Sequence, residues 1–231
     1  MRQDELVVVT PAWRAAHPGA AVGFLTMHGV ENPPAHPGLD AVKAQLVTNL
    51  RAQFGEMERA TLRETPPLPA YAVYYKRFGQ RYHVAMQLES VTQKGKGLPS
   101  VAALVEAMFV AELRNLVLTA GHDLDRVTLP LRLDIADGNE GERFTGPNGT
   151  QGAVKPGDMY VADAGGVLSA VITGPSAAAR IGSGTTRALF VAYAPPGVSR
   201  ELLEAHLAEI EANVRLLSNG AETLARLVVG G

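Results

Sequence analysis

The stretch GDMYVADAGGVLSAVITG (157–174) contains two apolar segments separated by the tripeptide Ala-Gly-Gly. Turn residues between two short apolar runs are typical of a β-hairpin, so we expect two antiparallel strands that turn at this tripeptide. The preceding stretch TLPLRLDIAD (128–137) alternates strictly, with Leu and Ile on one face and Arg and Asp on the other. Strict alternation of this kind predicts a half-buried strand.

Helical patterns surround this strand-rich region. Residues 39–64 place apolar residues at helical spacing, and the Pro-rich stretch 65–70 then ends that pattern. Ser100 is predicted to cap a second helix that runs to Gly121, and Ser199 opens a third with an apolar stripe. Further buried strands are predicted in AVGFLTMHGV (21–30) and TRALFVAYAP (186–195). Because strands cluster between helical regions, the pattern favours an α+β fold with a mixed or antiparallel sheet and packed helices.

The composition is that of an ordinary folded protein. The 231 residues carry a formal net charge of −2, 46% are hydrophobic, and there is no cysteine. Lack of cysteine excludes disulfide frameworks, thiol nucleophiles and zinc–cysteine or iron–sulfur sites. We see no apolar run of the roughly 18 residues that a membrane span needs and no signal peptide, so we expect no membrane partner and a cytoplasmic location.

The usual catalytic and cofactor motifs are missing from the sequence. GHDLD (121–125) offers His122, Asp123 and Asp125, but so few ligands predict a capped turn rather than a metal site. The Gly-rich stretches match neither the Walker pattern nor G-x-G-x-x-G, and no G-x-S-x-G elbow occurs. We therefore expect no metal, no cofactor and no serine nucleophile.

Two neighbouring stretches, YYKRFGQRYHV (74–84) and KGKGLPS (94–100), combine aromatic residues, cations and glycines. From 76 to 96 there are five Lys or Arg residues against one acid, Glu89. Such a segment either stacks bases and contacts phosphates, or buries its aromatic rings and leaves its cations in solvent. Spacing alone favours the second interpretation.

Six blocks of sequence together resemble a known family. The blocks are YYKRFGQRY, KGKGLPSVAALVEAMFVAEL, GHDLDRVTLPLRL, GERFTGPNG, KPGDMYVADAGGVL and TTRALFVAYAP. In this order and spacing they resemble the B3/B4 domain, which edits tRNA in the phenylalanyl-tRNA synthetase beta subunit and also occurs as a free-standing protein. The resemblance implies one domain over 1–231, with a B3/B4 core at 71–195. A strand and helix portion at 1–70 and a C-terminal helix at 196–231 flank the core.

The resemblance implies a function as well as a fold. We expect a trans-editing factor that binds tRNA at its acceptor end and hydrolyses mischarged aminoacyl-tRNA, without any aminoacylation activity. The alternative is a non-catalytic module that binds RNA or an amino-acid-like ligand. Ala120 stands where bacterial synthetases carry an editing-site histidine, and Ala177 falls near the position of a pocket glutamate.

Site residues follow from this comparison and from their chemistry. His122 and Asp123 are the predicted catalytic pair, because an imidazole near neutral pKa suits a general base. An equally open interpretation is that His122 holds a turn after the helix through a backbone hydrogen bond. The residues predicted to bind the amino acid or the tRNA are Arg77, Lys94, Lys96, Asn115, Gly165 and Gly166. All of this requires His122, the loop 94–97 and the Asp-Ala-Gly-Gly bend to meet around one hollow.

Overall fold

The computed structural model describes residues 2–138, 142–146 and 149–231. The helices are α1 (Gln3–Leu6), α2 (Pro11–Ala16), α3 (Pro37–Phe54), α4 (Arg59–Arg63), α5 (Leu68–Lys76), α6 (His83–Thr92), α7 (Ala103–Asn115) and α8 (Arg200–Leu217). The strands are β1 (Val7–Val9), β2 (Ala21–His28), β3 (Leu118–Asp123), β4 (Leu131–Ile135), β5 (Arg143–Thr145), β6 (Gln151–Ala153), β7 (Met159–Asp163), β8 (Gly166–Ala170), β9 (Gly174–Pro175), β10 (Arg187–Ala194) and β11 (Glu222–Gly230). The predicted α+β class is confirmed. Of the block GERFTGPNG, Gly141, Pro147 and Asn148 lie outside the described residues.

The strands form two main sheets. Sheet I has the order β1-β4-β7-β8-β9, in which β1 runs parallel to β4 and the other neighbours are antiparallel. Sheet II has the order β11-β2-β10-β3 and is antiparallel throughout. Strands β5 and β6 pair as a separate hairpin. The predicted hairpin at 157–174 is therefore β7–β8, and the predicted alternating strand is its neighbour β4.

Sheet II lies at the centre of the core. Its middle strands β2 and β10 are apolar along nearly their whole length, and both are buried on both faces. Helix α8 packs directly against β2, where a Cβ on Gly23 would lie 2.9 Å from Leu207 Cδ1. On the other face, Tyr193 of β10 donates a hydrogen bond from its hydroxyl to the carbonyl oxygen of Ser169 in β8, at 2.9 Å. The two sheets are thus joined by a buried polar contact.

The aromatic stretch of α5 is part of the core. Tyr71, Tyr74 and Tyr75 are all buried, and the Tyr71 hydroxyl donates to the Tyr193 carbonyl oxygen at 2.6 Å. It also accepts a hydrogen bond from the backbone N–H of Leu118 at 3.1 Å. Since buried aromatic residues with satisfied hydroxyls are typical of core packing, this segment anchors α5 to sheet II rather than presenting rings to a nucleic acid.

The helix predicted from Ser100 to Gly121 is wrong at both ends. Helix α7 begins at Ala103, and the Ser100 hydroxyl instead accepts a hydrogen bond from Lys43. The helix ends at Asn115 because Leu116 adopts a left-handed conformation with φ of 57°. Gly121 lies inside strand β3, where an added Cβ would meet Ile181 Cδ1 at 2.9 Å. Its lack of a side chain therefore serves close packing and not a helix terminus.

The chain ends in a strand that the sequence analysis did not anticipate. Helix α8 begins as predicted after Ser199, whose hydroxyl accepts a hydrogen bond from the backbone N–H of Leu202. The segment 196–231 then continues into β11, which pairs antiparallel with β2 and forms one edge of sheet II. This strand covers the side of β2 that would otherwise expose unpaired backbone groups.

Candidate functional site

A cavity of about 1070 Å³ lies beside strand β3, the second edge of sheet II. It is bounded by one face of α7, by β3 and by the segment 170–183, which contains β9. The apolar part of its lining consists of Val101, Ala102, Val105, Met108, Phe109, Leu118, Ala120, Ala170, Val171, Ile172, Pro175, Ala177 and Ile181. A cavity of this size and character is typical of a site for a small organic ligand.

Strand β3 exposes backbone groups to this cavity. Thr119 and Asp123 turn their N–H groups away from β10, donating to Glu112 Oε1 at 2.9 Å and to the Ala179 carbonyl oxygen at 2.8 Å. In an antiparallel ladder, alternate residues point to the same side, so Gly121 also directs its N–H and C=O away from β10. Gly121 lines the cavity. It therefore offers a backbone donor and acceptor to whatever the cavity holds.

One carboxyl group lies in the wall of the cavity. Glu112 projects from α7 and is only 3% exposed. Burial raises the pKa of Glu112 to about 8, against a smaller opposing effect of the hydrogen bond from Thr119. At neutral pH and without a ligand, the group is therefore mostly in its neutral form.

The remaining polar groups of the lining differ in how well they are satisfied. Asn32 is used structurally, since its amide donates to the Gly182 carbonyl oxygen and accepts from the Leu104 N–H. The hydroxyl of Thr173 is buried and has no hydrogen-bond partner in the described part of the chain. An unsatisfied buried hydroxyl in a cavity wall is a natural contact for a ligand.

Two arginines lie at the open side of the cavity, because both line it and both are exposed. Arg126 is 3.7 Å from Asp123. The guanidinium of Arg180 forms no hydrogen bond or ion pair with any residue that the structure describes. These cations are suited to binding an anionic group, such as a phosphate, of a ligand that enters from solvent.

The predicted catalytic pair does not face the cavity. His122 lies on β3, not at a helix terminus, and its fully buried ring forms a hydrogen bond of 3.1 Å between Nε2 and Ser169 Oγ. Burial lowers the pKa of His122 to about 4. Asp123 accepts hydrogen bonds from the Thr185 hydroxyl and the Asp125 N–H. His122 therefore joins the two sheets, and Asp123 holds the turn that follows β3. These structural roles are closer to the interpretation in which His122 holds a turn than to a catalytic role.

The predicted binding segments also fail to meet at one hollow. Lys94 and Lys96 are exposed on a loop whose carbonyl groups accept hydrogen bonds from Arg51, and this loop is not part of the cavity lining. The N–H groups of Gly165 and Gly166 both donate to Asp163 Oδ1, at 2.7 and 3.1 Å, so they are already engaged within the hairpin turn.

The two other predicted contacts lie elsewhere. Asn115 donates a hydrogen bond to Glu209 Oε2 at 2.7 Å, so it joins α7 to α8 and does not reach the cavity. The guanidinium of Arg77 lies over the rings of Tyr74 and Phe78, at 5.5 and 5.7 Å from their centroids. Stacking of this kind positions a cation on a surface formed by α5, outside the cavity.

Sequence reasoning missed the cavity carboxyl and the free arginine. Glu112 follows Met108 by four residues, so it lies on the same apolar helix face, and a charged residue on such a face is a usable signal. Arg180 gives no such signal, because its place beside β3 depends on a loop that the sequence pattern does not define.

The described residues contain neither a cluster of metal ligands nor a membrane-spanning helix. In 2–138, 142–146 and 149–231, no group of three or more His, Asp or Glu side chains is arranged to hold a metal ion. Over the same ranges, no helix combines the length and the apolar character needed to cross a bilayer.

The fold is similar to that of a solved synthetase fragment. No protein-family model matches the sequence, and no curated protein matches it. The structure is similar to an N-terminal fragment of the phenylalanyl-tRNA synthetase beta subunit from Pyrococcus horikoshii, with a TM-score of 0.50 and 11% sequence identity. The match covers 98% of this chain and 54% of that fragment. At this level of identity, the comparison shows a shared fold.

Proposed function

We propose that the protein is a trans-editing factor that seats the aminoacyl group of a mischarged tRNA in the cavity beside β3 and hydrolyses its ester bond. The observation that carries the proposal is the cavity itself. It is large enough for an aminoacyl group and the terminal nucleoside, and its lining includes both Ala120 and Ala177. The sequence resemblance aligns these two positions with the editing histidine and the pocket glutamate of the synthetases.

The chemistry asked of the site is modest. An aminoacyl ester is an activated bond, so the protein has to orient a water molecule and stabilise the developing oxyanion. The outward N–H of Gly121 is a suitable donor, and a hydroxyl group of the terminal ribose can assist the water. Arg126 and Arg180 are suited to the phosphates of the acceptor end, while Lys94, Lys96 and Arg77 would add weaker contacts further along the tRNA.

Blocking the cavity tests the proposal. Ala177→Trp places a large ring in the cavity lining, and its neighbour Ala178 is exposed and outside that lining, so Ala178→Trp is a matched control. We expect Ala178→Trp to retain deacylation of a panel of mischarged tRNAs and Ala177→Trp to lose it, as measured by release of labelled amino acid. Arg180→Ala should lower kcat/KM about tenfold, the effect of losing one charged hydrogen bond, whereas Arg14→Ala on α2 should not.

Ala120 and Ala177, the two cavity positions that align with editing residues of the synthetases, carry no side chain that could act as a base. This favours a second function without catalysis. A non-catalytic module for an amino-acid-like ligand would use the same cavity and would be stabilised by its ligand without turnover. If the panel of mischarged tRNAs stays intact while ligand-dependent thermal stabilisation disappears in Ala177→Trp, the deacylase proposal is wrong and the binding module remains.

A further inference from the structure

Glu112 is a buried acid whose role is not explained by the packing of the fold. Its carboxyl lies in the cavity wall, and Oε1 accepts one hydrogen bond from the Thr119 N–H. No other hydrogen bond or ion pair reaches this carboxyl from the residues that the structure describes. A carboxylate has room for about four hydrogen bonds, so most of its capacity is open toward the cavity.

We propose that the Glu112 carboxylate binds the primary ammonium group of the ligand that occupies the cavity. This inference rests on the proposed function, since it assigns the part of an aminoacyl group that Glu112 would recognise. The outward C=O of Gly121, two residues from Thr119 on the same edge of β3, is a second acceptor for the same ammonium.

The surroundings of Glu112 favour a cationic partner over a neutral one. Glu112 is only 3% exposed, so its carboxyl has little contact with water, and opposite charges attract more strongly there than in bulk water. The cost of desolvating an isolated carboxylate is what an ammonium ligand would offset. A hydroxyl or amide donor carries no charge, so it would leave the carboxyl in its neutral form and would not offset the cost of ionising it.

Binding of the ammonium is coupled to the loss of a proton from Glu112. The carboxyl releases its proton to solvent, the ligand keeps its own, and the two charges then face each other. The other titratable groups near this carboxyl or in the same cavity are Tyr71, Tyr75, Tyr82, Tyr193, His83, Arg126 and Arg180. Burial raises the pKa of each of the four tyrosines and lowers the pKa of His83, so all five groups stay neutral. Glu112 is therefore the acid that releases the proton.

Calorimetric titration without tRNA tests this inference. The probes are L-phenylalaninamide and L-leucinamide, each compared with its des-amino counterpart, 3-phenylpropanamide or 4-methylpentanamide. We expect each amine to bind at least tenfold more tightly than its counterpart at neutral pH. In buffers of different ionisation enthalpy, binding should release about one proton, and affinity should rise between about pH 5 and pH 7 before the ligand amine itself titrates.

Glu112→Gln keeps an acceptor for the Thr119 N–H and removes the charge. This variant should bind both members of each pair equally, with no proton release. Glu209→Gln is the matched control, because Glu209 is another partly buried acid with a raised pKa, but it pairs with Asn115 and Arg114 away from the cavity. It should keep the preference for the amine.

The outcomes separate this inference from the proposed function. The role of Glu112 would be overturned if the wild type bound the amine and its counterpart equally. It would also be overturned if neither amide pair bound up to its solubility limit, even if deacylation is observed. Preference for the amine that persists in Glu112→Gln would also overturn it. Loss of deacylation alone, with the preference for the amine intact, counts against hydrolysis and not against ammonium binding.

Discussion

At the residue scale, Glu112 has an energetic cost that a purely structural role does not require. A glutamine at this position would accept the same hydrogen bond from Thr119 without any charge to desolvate. The pKa of this carboxyl rises from the ordinary 4.5 to about 8 in the folded protein, which means that folding disfavours its ionised form. Functional sites often contain a buried ionisable group of this kind, whose pKa is shifted because its charged form is poorly solvated.

Glu112→Gln is therefore expected to stabilise the protein, with a specific pH dependence. Below about pH 4.5 the glutamic acid is neutral in both the folded and unfolded states, so it carries no penalty. As the pH rises from 4.5 to 8, the unfolded state ionises and the folded state does not, and the penalty grows until it levels off. At pH 7 the variant should exceed the wild type by on the order of 3 kcal/mol in urea unfolding, with little difference at pH 4.

The control for this prediction is the exposed Glu56, where Glu56→Gln should change the free energy of unfolding equally little at both pH values. A gain from Glu112→Gln that is the same at pH 4 and pH 7 would contradict the mechanism, because only ionisation of Glu112 separates the two conditions.

Single residues also show how far the site was predictable from sequence. The predicted meeting of His122, the loop 94–97 and the Asp-Ala-Gly-Gly bend does not occur. Ala120 and Ala177 both line one cavity, but its acid, Glu112, was not singled out. His122 was selected for its chemistry, yet side chains in a strand alternate between faces, and its imidazole points to Ser169 between the sheets. Sequence gives the type of side chain in a strand, but the face it occupies depends on where the strand begins.

At the element scale, α8 packs so closely on sheet II that one position, Gly23, has no space for a side chain. An added Cβ on Gly23 would lie 2.9 Å from Leu207 Cδ1, closer than real Cβ atoms approach their neighbours, and 3.2 Å from Leu203 Cγ, a tight contact. We expect Gly23→Ala to displace the helix and to cost about 1–3 kcal/mol, the usual penalty for overpacking a core. Urea unfolding measures this loss.

Gly220 provides the comparison for that prediction, since an added Cβ there meets nothing within 4 Å. Gly220→Ala should leave the urea midpoint nearly unchanged. If Gly23→Ala were equally harmless, the close approach of α8 to β2 would be wrong.

Elements with a strong apolar pattern were predicted well, and their boundaries were not. The strands β2, β4, β7, β8 and β10 and the start of α8 follow from alternation, continuous apolar runs or a capping serine. The end of α7 does not, because Leu116 takes a left-handed conformation that sequence statistics assign to glycine. Strand β11 was missed because the whole segment 196–231 was assigned to a C-terminal helix on the strength of the apolar stripe in its first half.

At the scale of the whole molecule, buried histidines and buried acids have opposite effects on stability. Burial lowers the pKa values of His17, His122 and His206 to about 4, 4 and 3. Burial raises those of Glu112 and Asp158 to about 8 and 6.

The expected result is a maximum of stability between about pH 6 and pH 7. Below pH 6.5 the histidines bind protons in the unfolded state but stay neutral in the folded state, so stability falls as the pH drops toward 4. Above the maximum, ionisation of Glu112 in the unfolded state makes stability fall gradually until about pH 8. Urea midpoints measured across this range test the profile. In Glu112→Gln the fall on the alkaline side should become a plateau, and the rise on the acid side should become steeper above pH 4.5, because the penalty that grows with ionisation of Glu112 is gone. A wild-type profile that keeps rising to pH 8 would show that Glu112 ionises as freely in the folded protein as in the unfolded chain.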